Sequence, residues 1–130
     1  MPARILRFRV GERRWATPLN RVTEVLEAPE VLRVPGSRPQ VAGLILRQGV
    51  LIPVYDIVRD SSPPGTHVVV LEWGDVLTGL RVSEPEAGQV MSEEDGGDSG
   101  TPCRGQVRVR EGIAERLDLG LLYGLLEVPA

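Results

Sequence analysis

With 130 residues the chain is about one domain's worth, since folded domains usually run to roughly 100–150 residues, which argues against a two-domain enzyme. Fifteen basic against eighteen acidic side chains leave a net charge of −3, so no general attraction to nucleic acid or anionic lipid is expected. Eighteen valines, sixteen leucines and twenty-six glycines plus prolines favour short strands and tight turns, and all but exclude a helical bundle.

In chain order, period-two alternation predicts strands over residues 4–10 and 14–19, joined through Gly11-Glu12-Arg13. Residues 22–34 read as extended or mixed structure, although the spacing Leu19, Val22, Leu26 also suits a helical turn. After the loop Pro35–Pro39, residues 41–47 and 50–57 form a second hairpin around Gln48-Gly49. Their nearly continuous apolar character predicts burial on both faces or a barrel wall. Asp60–Gly65 is the clearest linker, and beyond it residues 66–73 and 76–82 pair around Gly74-Asp75. Residues 83–104 are polar and acidic and are expected to be a flexible loop, mobile at least over Ser92–Thr101. Residues 105–110 and 113–118 make a fourth hairpin around Glu111-Gly112, and Asp118 opens a short leucine-rich helix.

Hairpin, connector, hairpin therefore occurs twice, in residues 4–57 and 66–118. Neither half is long enough to bury a comfortable core alone, so a shared hydrophobic seam is expected. The fold class predicted is all-β with a short C-terminal helix, closed into small barrels that hide the strand edges. Charge follows the same division: ten arginines face six acids in residues 1–60, and five face twelve in residues 61–130. Either each half solvates its own surface, or the two carry complementary patches for different partners.

Catalytic chemistry finds little footing. There is no lysine, His67 is the sole imidazole and reads as a strand-entry residue, and Cys103 stands alone among acidic neighbours that blunt a thiol. Multi-histidine zinc sites, cysteine-rich sites and disulfides within the chain are excluded, which fits a reducing compartment. Glu93-Glu94-Asp95 with Asp98 lacks the ligand alternation of a calcium loop and reads as a solvated segment. No phosphate-cradling glycine motif occurs. Phe8 between Arg7 and Arg9, and Trp15 after Arg13-Arg14, approach a single-strand nucleic-acid pattern, but alternation turns Phe8 inward with Leu6 and Val10. No enzyme, metal or cofactor is expected, and without a long apolar run the expected location is the cytoplasm.

The segment Phe8-Arg-Val-Gly11-Glu-Arg-Arg-Trp15-Ala-Thr-Pro-Leu19-Asn-Arg-Val22-Thr-Glu24-Val25 resembles the opening of CheW-like domains. Val41-Ala42-Gly43-Leu44-Ile45 and Gly49-Val-Leu-Ile52-Pro53-Val54-Tyr55-Asp56-Ile57 are similar to that family's Gly-Val-Ile-Asn-Leu-Arg-Gly-x-x-Ile-Pro-Val-x-Asp-Leu block, in register over Gly43–Ile57. Val68–Leu71, Gly79–Val82 and Leu117-Asp118-Leu119 match more loosely. The resemblance implies one CheW-like domain over 1–130, built of two intertwined five-stranded SH3-like barrels on a shared core, with approximate halves at 4–57 and 66–126. It implies a non-catalytic adaptor that couples the cytoplasmic tip of a chemoreceptor to the regulatory domain of a CheA-like histidine kinase, recruited to membrane-associated receptor arrays. By motif position the partner-binding residues are Val22, Glu24 and Val25, then Arg47, Gln48 and Gly49. The valines are alternatively core.

Three departures qualify the match. Gln48 stands where the family has an arginine tied to kinase and receptor coupling, with Arg47 displaced by one, and such a shift along a strand turns a side chain to the opposite face. Val82-Ser83-Glu84-Pro85 replaces Val-Asp-x-Val, and Pro85 is expected to hinder the strand's continuation. The chain is also short between residues 83 and 104. Rival readings are a CheW-fold scaffold of another pathway, such as twitching motility, without a kinase, and a small barrel that binds single-stranded nucleic acid or a metabolite.

Overall fold

Phe8 and Trp15 lie directly opposite each other on β1 (Arg4–Val10) and β2 (Arg13–Pro18), both essentially unexposed, and they centre the main core. Cross-strand aromatic pairs of this kind hold a hairpin through packing as well as through its ladder. The computed structural model describes residues 4–36, 40–56, 64–94, 103–110 and 112–125. The linker positions 57–63, the loop centre 95–102 and the residues 37–39 lie outside them.

After β2 a 3₁₀ turn covers Leu19–Arg21 and leads into β3 (Val22–Glu27), so the extended reading holds from Val22 and the helical alternative, which needed Val22 and Leu26 on one turn, does not. β4 (Val41–Arg47) and β5 (Val50–Tyr55) turn at Gln48-Gly49, where both residues have positive φ, +51° and +79°. That is the backbone of a two-residue hairpin turn whose twist matches the strands. β6 (His67–Trp73) and β7 (Val76–Gln89) follow, then β8 (Ser92–Glu94), β9 (Cys103–Val109), β10 (Gly112–Leu117) and the helix α1 (Leu119–Leu125). Asp118 caps α1 by accepting the Leu121 N–H at 2.9 Å.

β7 corrects the expectation of an acidic loop from residue 83. It is fourteen residues long, pairing β6 through Val82 and then β1 from Ser83 to Gln89. Pro85 does not stop it, because the ladder skips a step between Arg9↔Ser83 and Arg7↔Glu86. The proline therefore falls in a bulge where no ladder bond is asked of it. Glu84, at φ +51°, makes the bend.

β7 thereby belongs to two sheets. One runs β7-β1-β2-β10-β9-β8, the other β3-β6-β7-β5-β4, with β2/β10 and β5/β7 the parallel contacts. Each sheet takes strands from both 4–57 and 66–126, so the two barrels do not follow the halves of the chain. Ile5, Ala16, Val107, Val109 and Ala114 fill one barrel, and Ile45, Ile52, Val54, Val68 and Val70 fill the other. Between them Phe8, Trp15, Tyr55, Leu71, Leu80, Leu117 and Leu122 make the shared core.

The second barrel closes without a β3–β4 ladder. Leu32 instead exchanges both backbone hydrogen bonds with Leu44, each 2.8 Å long. Gly43 permits the approach: a Cβ there would stand 2.3 Å from the Leu32 carbonyl oxygen. Gly43→Ala is expected to lower stability by about 1–3 kcal/mol, read from thermal or denaturant unfolding, and an unchanged midpoint would show that the bridge yields freely.

Tyr123 fixes α1 to the turn end of the β6–β7 hairpin. Its hydroxyl accepts from Thr78 Oγ1 at 2.9 Å and donates to the Val76 carbonyl at 3.0 Å, with the Leu71 carbonyl at 3.3 Å. Burial raises the phenol's pKa above its usual 10.0, against the lowering effect of the Thr78 hydrogen bond. Just above that usual value the unfolded chain has lost a proton the folded chain keeps, so stability falls as pH rises. Tyr123→Phe is expected to cost about 1–2 kcal/mol at neutral pH and to flatten this loss above about pH 10, measured by denaturant unfolding across that range.

Candidate partner-binding site

The ladder sorts the predicted contact residues onto two faces. Residues directly opposite each other in a sheet share a face, and a bulge at Thr23 sets Val22 opposite Leu71, Glu24 opposite Val70 and Val25 opposite Val69. Leu71 and Val69 belong to the shared core, so Val22 and Val25 stand on the side of the junction between barrels. Val22 packs against that core, whereas Val25, 40% exposed, lies at its rim. Glu24 shares the face of Val70, inside the second barrel.

Arg47 belongs to that same inner side, two residues after the buried Ile45. Its Nε donates to Glu24 Oε2 at 3.1 Å while a terminal nitrogen donates to Oε1, a two-pronged pair between β3 and β4 where no ladder runs. Hydrogen bonding to Glu24 raises the Arg47 pKa further above its already high value, desolvation opposing it. The structure thus brings Glu24 and Arg47 together across 23 positions of sequence, with Gln48 and Gly49 exposed in the turn beside them. The one-residue displacement leaves the arginine that faces Glu24 at 47, on the strand, and puts Gln48 in the turn.

The outer face of β4–β5 decides between the two readings of this hairpin: it is a barrel wall, buried on its inner side only. Ile45, Ile52 and Val54 are buried, but Leu46 and Leu51, directly opposite each other, are 60% and 56% exposed. Leu44 faces Pro53 and is bridged to Leu32, itself 50% exposed. No element of this chain packs over that row among the described residues. Contiguous apolar surface of this kind marks an interaction site. Sequence reading missed it because an apolar run looks the same whether its outer face meets another layer or a partner.

Elsewhere the surface is neutralised by ion pairs. Arg7 meets Glu86 at 2.6 Å, Arg9 meets Glu84 at 2.9 Å, Arg13 meets Glu115 at 2.5 Å and Arg81 meets Asp56 at 2.7 Å. Hydrogen bonding from Arg9 lowers the Glu84 pKa. Three of the four arginines that a nucleic-acid reading names, Arg7, Arg9 and Arg13, are thus held by carboxylates. Among the described residues no three His, Cys, Asp or Glu side chains group to hold a metal ion. Nor is any helix there long and apolar enough to cross a membrane.

The family model of the CheW-like domain matches residues 4–123. The chain belongs to the CheW-like domain family. It is 35% identical over 83 residues to the protein PilI of Pseudomonas aeruginosa, covering 59% of this chain and 47% of that protein. It is 26% identical over 83 residues to the chemotaxis protein CheW of Bacillus subtilis, covering 59% and 53%. The matched stretches thus span about half the length of these curated relatives. The scaffolding protein TtCheW of Thermoanaerobacter tengcongensis superposes with a TM-score of 0.79 at 20% identity, over 95% of this chain and 88% of that one, which shows a common fold. Within a CheW-like domain, the leucine row and the Glu24–Arg47 pair lie on one barrel, and the two valines lie on the junction.

The two valines separate by experiment. Val22→Arg is expected to cost more than about 1 kcal/mol in denaturant unfolding, because the charge enters packed apolar surroundings. Val25→Arg is expected to stay within about 0.5 kcal/mol. Equal costs would contradict the placement of the two side chains.

Proposed function

We propose that this chain is a non-catalytic adaptor that couples a chemoreceptor-like protein to the regulatory domain of a CheA-like histidine kinase. The observation that carries this reading is the exposed leucine row of β4–β5, set beside the Glu24–Arg47 pair on a CheW-like domain. The kinase's own CheW-like barrel is the occupant proposed for the row. Burying two or three leucines in a packed interface supplies the central energy of such a contact. Glu24, Arg47, Gln48 and Gly49 then form its polar rim. Val22 and Val25 line the receptor-facing side at the barrel junction. The domain works by holding two partners in fixed geometry, and recruitment to receptor arrays at the membrane follows from the receptor rather than from this chain.

A second reading keeps the scaffold and assigns it to a pathway other than that of the chemotaxis protein CheW, twitching motility being one such pathway. The higher identity to PilI than to CheW favours it.

Titration of the full chain with the regulatory domain of a CheA-like kinase from the same source, at low and high salt, tests the first reading. Saturable one-to-one binding that survives high salt is expected, since an apolar contact is not screened. Leu46→Lys is expected to weaken it about tenfold or more with the unfolding midpoint unchanged. Absence of binding, with the chain folded, would favour the second reading.

A further inference from the structure

Arg9 and Arg14 lie directly opposite each other on β1 and β2, a cross-strand pair of like charges that weakens the ladder it sits on. Arg7, two residues before Arg9, shares its face. That face is the inner one of the first barrel, because Ile5 precedes Arg7 on it and Ala16 lies opposite Arg7, and both belong to the barrel's apolar filling. The three arginines therefore continue the inner face beyond that filling, towards the β1–β2 turn. They line a cleft of about 230 Å³ whose walls are completed by Phe8, Glu84 and Glu86. A terminal nitrogen of Arg14 also reaches the start of β10, where a Cβ built at Gly112 would stand 3.6 Å from it.

The acids nearby do not neutralise this cluster. Glu86 meets Arg7 and Glu84 meets Arg9, but these carboxylate side chains are 61% and 75% exposed and are free to swing into water. Arg14 is exposed and pairs with no acid among the described residues. Glu12, in the turn, lines the neighbouring cleft with Arg13 and Arg14, and Glu115 is held by Arg13. The walls of the cleft thus carry three cations against two anions, and Arg9, Arg14 and Arg7 together lower the Glu84 pKa. Its backbone is strained as well. Glu84 holds φ +51° inside the β1/β7 bulge, and a non-glycine residue in that region, at a bulge, is a feature of binding sites more than of plain sheet.

We propose that Arg7, Arg9 and Arg14 form a binding site for a compact dianion, the phosphate group of a small phosphomonoester. One tetrahedral dianion accepts hydrogen bonds from two or three guanidinium forks at once, so it bridges Arg9 and Arg14 and removes their opposition. The Arg9 fork is already steadied by its hydrogen bond to the Gly11 carbonyl. The incoming phosphate takes the place of the Glu84 carboxylate, which moves into solvent. This site lies on the first barrel and the leucine row on the second, so it does not require the kinase coupling proposed above.

Titration of the full chain with inorganic phosphate and with phenyl phosphate, at an ionic strength held constant with chloride, tests it by isothermal calorimetry and by the unfolding midpoint. Saturable one-to-one binding of both is expected, with a midpoint that climbs to a plateau. Arg14→Gln is expected to weaken binding about tenfold or more. Without phosphate the same variant is expected to unfold at an unchanged or higher midpoint, since the opposed charge is gone, whereas an arginine with a merely structural role would lower it. Glu84→Gln is expected to tighten binding about threefold by removing the competing carboxylate. No saturable binding at millimolar concentration, or binding unaltered in Arg14→Gln, would overturn the proposal. So would a midpoint that rises linearly with phosphate and equally in Arg14→Gln, which is the general exclusion of that salt from protein surfaces. Binding of inorganic phosphate without phenyl phosphate would overturn the ester as ligand. Kinase-domain binding is expected to be retained in Arg14→Gln, which keeps the two sites apart.

Discussion

One strand serves two barrels, and the remaining structure follows from that. β7 pairs with β6 and β5 in its first part and with β1 in its second, bending at Glu84 where the ladder slips past Pro85. Because it is continuous, the barrels cannot separate, and the apolar faces turned toward each other become a single core around Phe8, Trp15, Leu71 and Leu80. The same sharing leaves the second barrel with an unladdered seam between β3 and β4. The chain spans that seam with two devices, the Leu32–Leu44 bridge and the Glu24–Arg47 pair. The exposed leucine row extends outward from that seam.

The electrostatics are consistent with such a scaffold. The first sixty residues carry an excess of arginine, but in the folded chain much of it is spent locally, Arg7 and Arg9 against β7, Arg13 against β10 and Arg47 against β3. Exposed pairs of this kind add little to stability and do more to set which surfaces approach each other. What remains to attract partners is chiefly apolar: the leucine row on one barrel, and the valines on the junction side. Two separate surfaces on one rigid body are the minimum an adaptor requires.

Much of this was legible in the residues. The hairpins around Gly11, Gln48-Gly49 and Gly74-Asp75 are marked by their turn residues, and the shared core follows from two halves each too small to close alone. The motif order from Phe8 to Ile57 pointed to the CheW-like family that the family model matches. Three things were not legible. Pro85 reads as a strand breaker because sequence does not show where a bulge will fall. The exposure of Leu46 and Leu51 leaves no trace, because an apolar run reads equally as a strand buried on both faces or as a barrel wall. The displaced arginine reads as turned away, since only the register shows Arg47 on the inner side with Glu24.

Hydrogen exchange of the chain alone and in complex with the kinase regulatory domain tests the central claim most directly, because it maps the contact without altering it. Slowed exchange over Leu44–Leu51 and around Glu24, with β8–β10 unaffected, is the predicted result. Protection confined to β8–β10, with the leucine row exchanging as it does in the free chain, would contradict it.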